Sequence, residues 1–462
     1  MVSERLMQLV LERALETGGD FAELFFEDRR ETNIQYGEGA VQKVTDIGIY
    51  GVGLHLLAGL QDVYACSNSA SEASLFALAA RAASLLAEKR GGCPAAVPPL
   101  RHAPADNPNI VLVHPSSVPR ASKIRLLEEA YGAARSTGIR VPRLAADYFD
   151  IDQEIAVANT EGLCTGERRV TSRIRLQVTV EAGGQAHFNW EDYTRPQGFE
   201  AFREDGAIGS FAADAVRRTR DMMLAGTAAS CVVPVVLEAG SCGTLWHECC
   251  GHTLEARSIA ARNSAFVGKI GQKVASDKVT LIDDGTIAGL YGTSAIDDEG
   301  HPRQRNVLIE NGVLKQYMRD RFQGRLIGME SNGCGRRQNY TYSPTSRMSN
   351  TFLAAGTDDD GEMIRSIPDG LYVRRIGGGS GGMQFSLEVK EGFWIRNGLI
   401  DRQVKGLMLT GNGIDVMGKI DRVGKNLVHE KGGGFCGSVS GLIPTTTSQP
   451  RVRISEMAVG GA

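Results

Sequence analysis

The sequence predicts an α+β protein in which N-terminal α/β units precede a large, mostly antiparallel β domain that is rich in glycine. Helical and strand-like apolar spacings alternate in the first half of the chain. Of the 56 glycines among 462 residues, 36 lie in the last 234. That part also contains three Asp-Gly or Asn-Gly turns between branched apolar residues, within 282–287, 309–314 and 395–400. Such turns predict β-hairpins because both turn residues adopt positive φ.

Composition excludes several classes of protein. A hydrophobic fraction of 42% and a charged fraction of 23% are typical of a folded chain, not of a disordered one. The net charge of −3 and the pI of about 6.3 give no reason to expect nucleic acid as a partner. The strongest apolar run, 231–237, is far shorter than the roughly 18 residues that a membrane-spanning helix needs. We therefore expect neither a membrane nor a nucleic-acid partner.

The N-terminus and the cysteines bear on the compartment. The first residues, 1–5, lack the charged-then-apolar pattern of a secretion signal. The chain has nine cysteines, and an odd number in a large chain of this kind indicates reduced thiols instead of a disulfide framework. Both observations predict a cytoplasmic protein.

The first predicted unit spans residues 1–97. Ser3 can cap a helix over 3–17, strand-like runs follow near 33–36 and 48–57, and an alanine-rich helix covers roughly 71–88. The stretch 91–108 contains two glycines and five prolines and is typical of a linker.

The second predicted unit spans residues 98–228, and the third spans 229–462. In the second unit, helix signals run from 117 to 138 and from about 210 to 225. Between them, residues 173–180 alternate polar and apolar, which predicts a half-exposed strand. The third unit is the glycine-rich β domain.

The most informative segment follows a strand-like run at 232–237. His247, Glu248 and His252 form the pattern H-E-x-x-x-H. In the common zinc-protease pattern the histidines are four residues apart, but here they are five apart, which leaves them about 140° apart around a regular α-helix. A local π-type widening would bring both imidazoles to one face, and Gly251 would make such a distortion easy. The segment is then a metal-binding helix carried by the β domain.

A metal held by two imidazoles needs a third ligand. Cys436, which lies among four glycines, is the best candidate, since a thiolate is a good zinc donor. Cys249 and Cys250 are more typical of buried core residues, and Glu255 is either a partner of an imidazole or a surface carboxylate. The remaining histidines are His55, His102, His114, His187, His301 and His429.

The chemistry that follows is metal-assisted hydrolysis. Glu248, next to His247, can take a proton from the attacking water and pass it to the leaving amine. The alternative is a helix whose histidines are merely packed or capping, with Glu248 solvated.

Further motifs make the chain resemble the TldD/PmbA family of metallopeptidases, and more closely its catalytic TldD-type member. The resemblance covers nearly the whole chain. Beyond His247, Glu248 and His252, it is carried by residues 51–53, 158–162, 297–300, 347–351, 406–412 and 435–437. Two positions depart from the common pattern of the family, since Cys249 stands in place of a small apolar residue and Arg257 in place of an acidic one.

The resemblance implies one Zn²⁺ per subunit, bound by His247, His252 and Cys436, with Glu248 as the general base. It also implies a cytoplasmic protein that cleaves unstructured peptides. Its dimer, either a homodimer or a heterodimer with a TldE/PmbA-type partner, would enclose the active sites. Two other functions stay open: a non-catalytic regulatory or scaffold subunit of a peptidase complex, and a zinc hydrolase of non-peptide amides.

Overall fold

The computed structural model describes residues 2–87, 96–204, 206–430 and 432–461. Residues 91–95, the beginning of the predicted linker, lie outside this part. We call residues 2–224 the N-terminal region and residues 226–461 the C-terminal region. The described elements of the N-terminal region are α1 Glu4–Leu15, β1 Phe21–Gly37, β2 Ala40–Ala58, β3 Gln61–Ser67, α2 Glu72–Ala87, β4 Arg101–His102, α3 Arg120–Arg135, β5 Arg143–Asn159, β6 Leu163–Ala182, β7 Gln185–Arg195 and α4 Ala207–Leu224.

The N-terminal region is built on one seven-stranded sheet. Its order is β3-β2-β1-β5-β6-β4, with β7 also paired to β6, and every pairing except β4–β6 is antiparallel. The predicted helices are confirmed, and Ser3 caps α1 through a bond that the Leu6 amide donates to its hydroxyl at 3.3 Å. The strand-like runs are confirmed too, although β1 and β2 are much longer than predicted.

The sheet crosses the predicted boundary between the first two units. β1 pairs with β5 from Glu23, opposite Asn159, to Gly37, opposite Ala145. Helices α1 and α2 cover one apolar cluster of this sheet, whereas α3 and α4 cover another. The division at 97–98 therefore stays a prediction, and the two predicted units share their backbone hydrogen bonds.

The C-terminal region has much shorter elements. They are β8 Gly226–Thr227, β9 Cys231–Leu237, α5 Thr244–Trp246, α6 Ala256–Ala260, β10 Leu281–Asp284, β11 Arg305–Glu310, β12 Val313–Leu314, α7 Arg321–Leu326, β13 Gly335–Arg336, β14 Thr345–Ser346, β15 Asn350–Leu353, α8 Asp360–Arg365, β16 Asp369–Ser380, β17 Gln384–Arg396, β18 Leu399–Lys405, β19 Leu407–Asn412, α9 Gly413–Gly418, β20 Ile420–Val423, β21 Val428–His429, β22 Gly434–Ser438, β23 Gly441–Gln449 and β24 Val452–Gly461.

These strands form a seven-stranded, an eight-stranded and a two-stranded sheet, in which antiparallel pairs predominate. The larger of the apolar clusters among them includes Trp246, Cys249 and Cys250. The α+β class with a large, mostly antiparallel C-terminal domain is therefore confirmed. None of the helices in the described ranges is both long and apolar enough to cross a membrane.

Two of the three predicted hairpins exist. Asn311 and Gly312 turn between β11 and β12 with φ of 47° and 80°, and Asn397 and Gly398 turn between β17 and β18 with φ of 51° and 75°.

The third predicted hairpin, at 282–287, is wrong. Strand β10 ends at Asp284, whose carboxylate accepts hydrogen bonds from the Thr286 amide at 2.9 Å and hydroxyl at 2.6 Å. This local turn directs the chain out of the sheet, and β10 pairs instead with the distant strands β11 and β15.

Ion pairs join the two regions. They pair arginines with carboxylates across the boundary between the N-terminal sheet and the C-terminal region, and they include Glu23–Arg337, Glu161–Arg321, Arg169–Asp298 and Glu191–Arg375. Two of the motifs that carry the family resemblance, 158–162 and 297–300, contribute to these pairs. These motifs thus belong to the contact between the regions and hold the N-terminal sheet against the C-terminal region.

Candidate active site

The segment with the H-E-x-x-x-H pattern changes its helical form at the histidines. Residues 244–246 are α-helical, His247–Gly251 form a π turn, and His252–Leu254 form a 3₁₀ turn. A π turn holds more residues than an α turn, so it compensates for the extra residue between His247 and His252. Their rings lie with centroids 5.0 Å apart, nearly perpendicular at 88°. The predicted widening is confirmed.

Gly251 is required for a different reason from the one predicted. Its φ and ψ, −54° and −58°, are ordinary helical values that any residue adopts. A Cβ at this position would overlap the sulfur of Met348, which packs directly on the helix and is fully buried. Close packing, not backbone freedom, therefore explains the glycine.

Cys436 comes to the histidines from the opposite side. It lies on β22, which pairs with β23 so that Cys436 faces Ile443. Its Sγ is 3.2 Å from Nε2 of His247 and 3.4 Å from Nε2 of His252. The structure thus brings together the three ligands predicted from the sequence.

The glycines near Cys436 make close approaches, but to protein atoms. A Cβ at Gly433 would overlap Tyr291, and one at Gly432 would lie 2.7 Å from the Thr194 hydroxyl. These glycines let the hairpin pack against the rest of the fold, which in turn fixes the position of the thiol.

The three donor atoms fit one divalent ion. They lie within 4.8 Å of one another. In a tetrahedral zinc site, with Zn–S of about 2.3 Å and Zn–N of about 2.0 Å, sulfur and nitrogen are about 3.5 Å apart. The observed separations of 3.2 and 3.4 Å need only a slight opening to reach that value. No other group of histidines, cysteines and carboxylates in the described ranges offers two imidazoles and a thiolate.

The thiol and the imidazoles polarise one another. Burial alone would raise the pKa of Cys436, but hydrogen bonds from His247 and His252 lower it to about 4. Burial alone would lower the pKa of His252, but its bonds to Cys436 and Glu255 raise it to about 11. Cys436 is therefore held as the thiolate, the form that binds metals, whereas His252 has to release its proton when an ion binds.

Glu248 lies beside this cluster on the same turn. One carboxylate oxygen is 4.0 Å from Nε2 of His252, and the side chain is 23% exposed. The loop between β16 and β17 covers it, since the Gly382 amide donates a hydrogen bond to the Glu248 carbonyl at 3.0 Å. A carboxylate next to the three predicted ligands and open to solvent on one side can exchange a proton with an attacking water.

Two further residues contact the predicted ligands. Glu255 places a carboxylate oxygen 3.3 Å from Nδ1 of His252, so the prediction of an imidazole partner fits this contact better than a surface carboxylate. It reaches His252 because the backbone becomes extended after the 3₁₀ turn, not through a shared helix face. Arg347, fully buried, donates to the Cys436 carbonyl at 2.6 Å and lies 3.8 Å from Glu255.

Sequence reasoning missed two features of the site. Arg347 belongs to one of the family motifs, 347–351, yet nothing in its spacing indicated a contact with Cys436. The loop at 381–382 that covers Glu248 carries only a glycine signal. Cys249 and Cys250 are core residues, as predicted: they are 2% and 0% exposed, and Cys250 points to Met417.

Comparisons with known proteins cover nearly the whole chain. Family models described as PmbA/TldA metallopeptidase domains match residues 22–86 for domain 1, 113–223 for the central domain and 230–461 for the C-terminal domain. A protein of Haemophilus influenzae named metalloprotease TldD homolog is 33% identical over 96% of this chain and 93% of its own length. A Saccharolobus solfataricus protein named zinc metalloprotease TldD homolog is 28% identical over 49% of this chain and 51% of its own length.

Solved structures show the same fold. A protein of Thermotoga maritima aligns with a TM-score of 0.78 at 18% identity, covering 99% of this chain and 100% of its own. TldE from Thermococcus kodakarensis aligns with a TM-score of 0.75 at 16% identity and the same coverage.

Proposed function

The chain belongs to the PmbA/TldD metallopeptidase family and is a peptide hydrolase, and on that premise we propose its mechanism and substrate class. It is a zinc-dependent peptidase that cleaves unstructured peptides. His247, His252 and Cys436 bind the ion, and Glu248 is the general base. The observation that carries the proposal is that two imidazoles, a thiolate and a partly exposed carboxylate lie within contact distance of one another. They come from two segments that are far apart in the chain.

The ligand set suits Lewis-acid catalysis. Two neutral imidazoles and one thiolate leave a net charge of +1 on a divalent ion. When bound, zinc supplies an acid that activates water and polarises the scissile carbonyl. Glu255 keeps Nδ1 of His252 occupied, so Nε2 is the nitrogen that is free to bind the metal. Arg347 holds the Cys436 backbone and thereby fixes the thiolate against both rings.

Glu248 performs the proton transfers. Its carboxylate takes a proton from the attacking water and delivers it to the amine of the departing peptide. Its partial exposure leaves room for the scissile bond, while the loop at 381–382 limits its movement.

Peptide binding is proposed at a sheet edge. Among the described residues, β22, which carries Cys436, pairs with β23 alone. An extended peptide can add to a strand edge through main-chain hydrogen bonds, which requires an unfolded substrate and tolerates many side chains. We further propose a cytoplasmic dimer that encloses the site. The TldE structure of the same fold supports a heterodimer with a partner of that kind, and a homodimer is the other arrangement.

The first test separates the base from the ligands. Glu248→Gln keeps the shape but cannot accept a proton, so peptide hydrolysis should fall about 10²–10⁴-fold with zinc content unchanged. Cys436→Ser should lose both zinc and activity. Metal analysis and peptide turnover are measured together, and Glu456→Gln, an exposed carboxylate paired with Lys419, is the matched control.

Either of two results would contradict the assignment. Near-normal turnover by Glu248→Gln would remove Glu248 from the mechanism. Full zinc occupancy with unchanged activity in Cys436→Ser would remove Cys436 from the ligand set.

The second test concerns the substrate. One small domain is offered in its folded form and as a destabilised, unfolded variant, and the two cleavage rates are compared. We expect cleavage of the unfolded form only, because an edge-bound peptide must be extended and an enclosed site excludes folded domains by size. Equal rates would indicate an open cleft instead.

A further inference from the structure

A second cluster of metal-binding side chains lies in the N-terminal region. Strand β4 pairs in parallel with β6 so that His102 is the partner of Cys164. The pairing is fixed by backbone bonds from the Arg101 amide to the Gly162 carbonyl at 2.7 Å and from the Ala103 amide to the Cys164 carbonyl at 2.8 Å. Partners in neighbouring strands project to the same face. The imidazole and the thiol are therefore side by side, and Arg101 projects to the other face.

Helix α1 supplies the third group. Gln8 donates a hydrogen bond to the Val97 carbonyl at 3.2 Å and accepts one from the Leu100 amide at 3.1 Å, so α1 is fastened to the segment that leads into β4. Glu4 lies four residues before Gln8 and shares its helix face. The donor atoms of Glu4, His102 and Cys164 lie within 4.8 Å of one another.

Among the described residues, the Glu4 carboxylate, the His102 ring and the Cys164 thiol have no hydrogen bond or ion pair that would compete with a metal. Cys164 is 6% exposed, whereas Glu4 and His102 are exposed, so an ion can enter from solvent and meet the buried thiol last. A carboxylate, an imidazole and a thiolate are all established zinc ligands.

We propose that Glu4, His102 and Cys164 bind a divalent cation of the zinc type in a second, non-catalytic site. The thiolate and the carboxylate together neutralise the ion, whereas the His247, His252 and Cys436 site keeps a charge of +1. The neutral site is a weaker acid, and its ligands come from α1, β4 and β6. Its role is to fasten the segment that enters the second predicted unit to both the N-terminal helix and the central sheet.

The test uses the full-length protein and counts zinc per chain. The wild type should bind about two zinc ions and His102→Ala about one, with peptide hydrolysis unchanged. His102 is exposed, so its replacement leaves the core intact, and Cys164→Ser should give the same count. The matched control is the double variant Cys66→Ser/His187→Ala, which removes a thiol and an imidazole elsewhere on the same sheet. Wild-type zinc content in both His102→Ala and Cys164→Ser would overturn the proposal.

Cobalt distinguishes this proposal from the catalytic one. Cys436→Ser lacks the thiolate of the first site, so we expect any thiolate-to-cobalt charge-transfer band in that variant to come from Cys164. The band should vanish in Cys436→Ser/Cys164→Ser. Absence of the band in Cys436→Ser would overturn the second site. If the catalytic assignment alone were wrong, His102→Ala would still lose one ion relative to the wild type.

Discussion

The two regions of the molecule obtain their shape in different ways. In the N-terminal region, strands of 17 to 20 residues run side by side, and helices of 12 to 18 residues cover their apolar faces. In the C-terminal region no described helix exceeds six residues, and many strands have two to six.

Buried charged side chains hold the C-terminal region together where regular elements are short. Asp283 accepts bonds from the backbone and hydroxyl of Ser349 and from Thr351. Arg347, 0% exposed, bonds to Cys436 and Ser440. A periodic scaffold gives stability, whereas an irregular one held by buried polar groups can place a π turn and a hairpin with the accuracy that a site requires.

The largest effect that distinguishes the two regions is expected at Gly381, in the loop that covers Glu248. A Cβ there would overlap the Glu248 carboxylate and lie 2.9 Å from its carbonyl carbon. Gly381→Ala should therefore displace the Glu248 carboxylate and lower kcat/KM about 100-fold, with zinc content unchanged. Because the Cβ would also overlap the Glu248 backbone carbonyl, the variant should lose some unfolding free energy as well.

Gly378→Ala is the matched control for that loop. It lies three residues earlier, and a Cβ there meets nothing within 4 Å. Equal activity of the two variants would show that this loop does not position Glu248. It would also contradict the view that the C-terminal region needs more exact packing than the N-terminal region.

A smaller effect is expected where the regions meet. Glu191 of β7 pairs with Arg375 of β16, and the carboxylate is 3% exposed. Glu191→Gln should lower the free energy of unfolding by about 2 kcal/mol, less than for a fully buried pair because Arg375 keeps 31% exposure. Zinc content should not change. Urea unfolding measures the effect, and the exposed Glu154→Gln on β5 is the control.

The same pair has a predictable pH dependence. Burial alone would raise the pKa of Glu191, but Arg375, with Lys390 and Arg218, lowers it to about 2 from the ordinary 4.5. Its stabilisation is therefore present above about pH 4.5 and is lost as the pH falls towards 2. The difference between wild type and Glu191→Gln should shrink between pH 5 and pH 2. A constant difference over that range would argue against the ion pair.

The smallest effect is expected from a helix cap in the N-terminal region. Ser3→Ala removes the acceptor of the Leu6 amide and should cost about 0.5–1 kcal/mol of unfolding free energy, with activity unchanged. Ser84→Ala, on the exposed face of α2, is the control and should not destabilise. A loss of activity in Ser3→Ala would contradict the proposal that the C-terminal region alone carries the chemistry.

The sequence alone determined the periodic parts of the fold and predicted which residues meet at the candidate site. The apolar spacing predicted α1 to α4, and two Asn-Gly turns predicted their hairpins, because these signals depend only on residues close in the chain. The five-residue spacing of His247 and His252 required a widened turn, since a regular α-helix would separate the two rings. Cys436 was predicted as the third ligand because a thiolate is a good zinc donor.

Tertiary contacts decided the rest. Asp284-Gly285 does not form a hairpin, because the Asp284 carboxylate accepts a hydrogen bond from the Thr286 amide and turns the chain away. Strand β10 pairs instead with the distant strands β11 and β15. Gly251 is needed because a Cβ there would overlap Met348. Arg347 contacts both Cys436 and Glu255, each more than 80 residues away in the chain. The pairing of β1 with β5 likewise joins units that the sequence separates. Such contacts form between residues that are far apart in the chain, so the local spacing of residues cannot predict them.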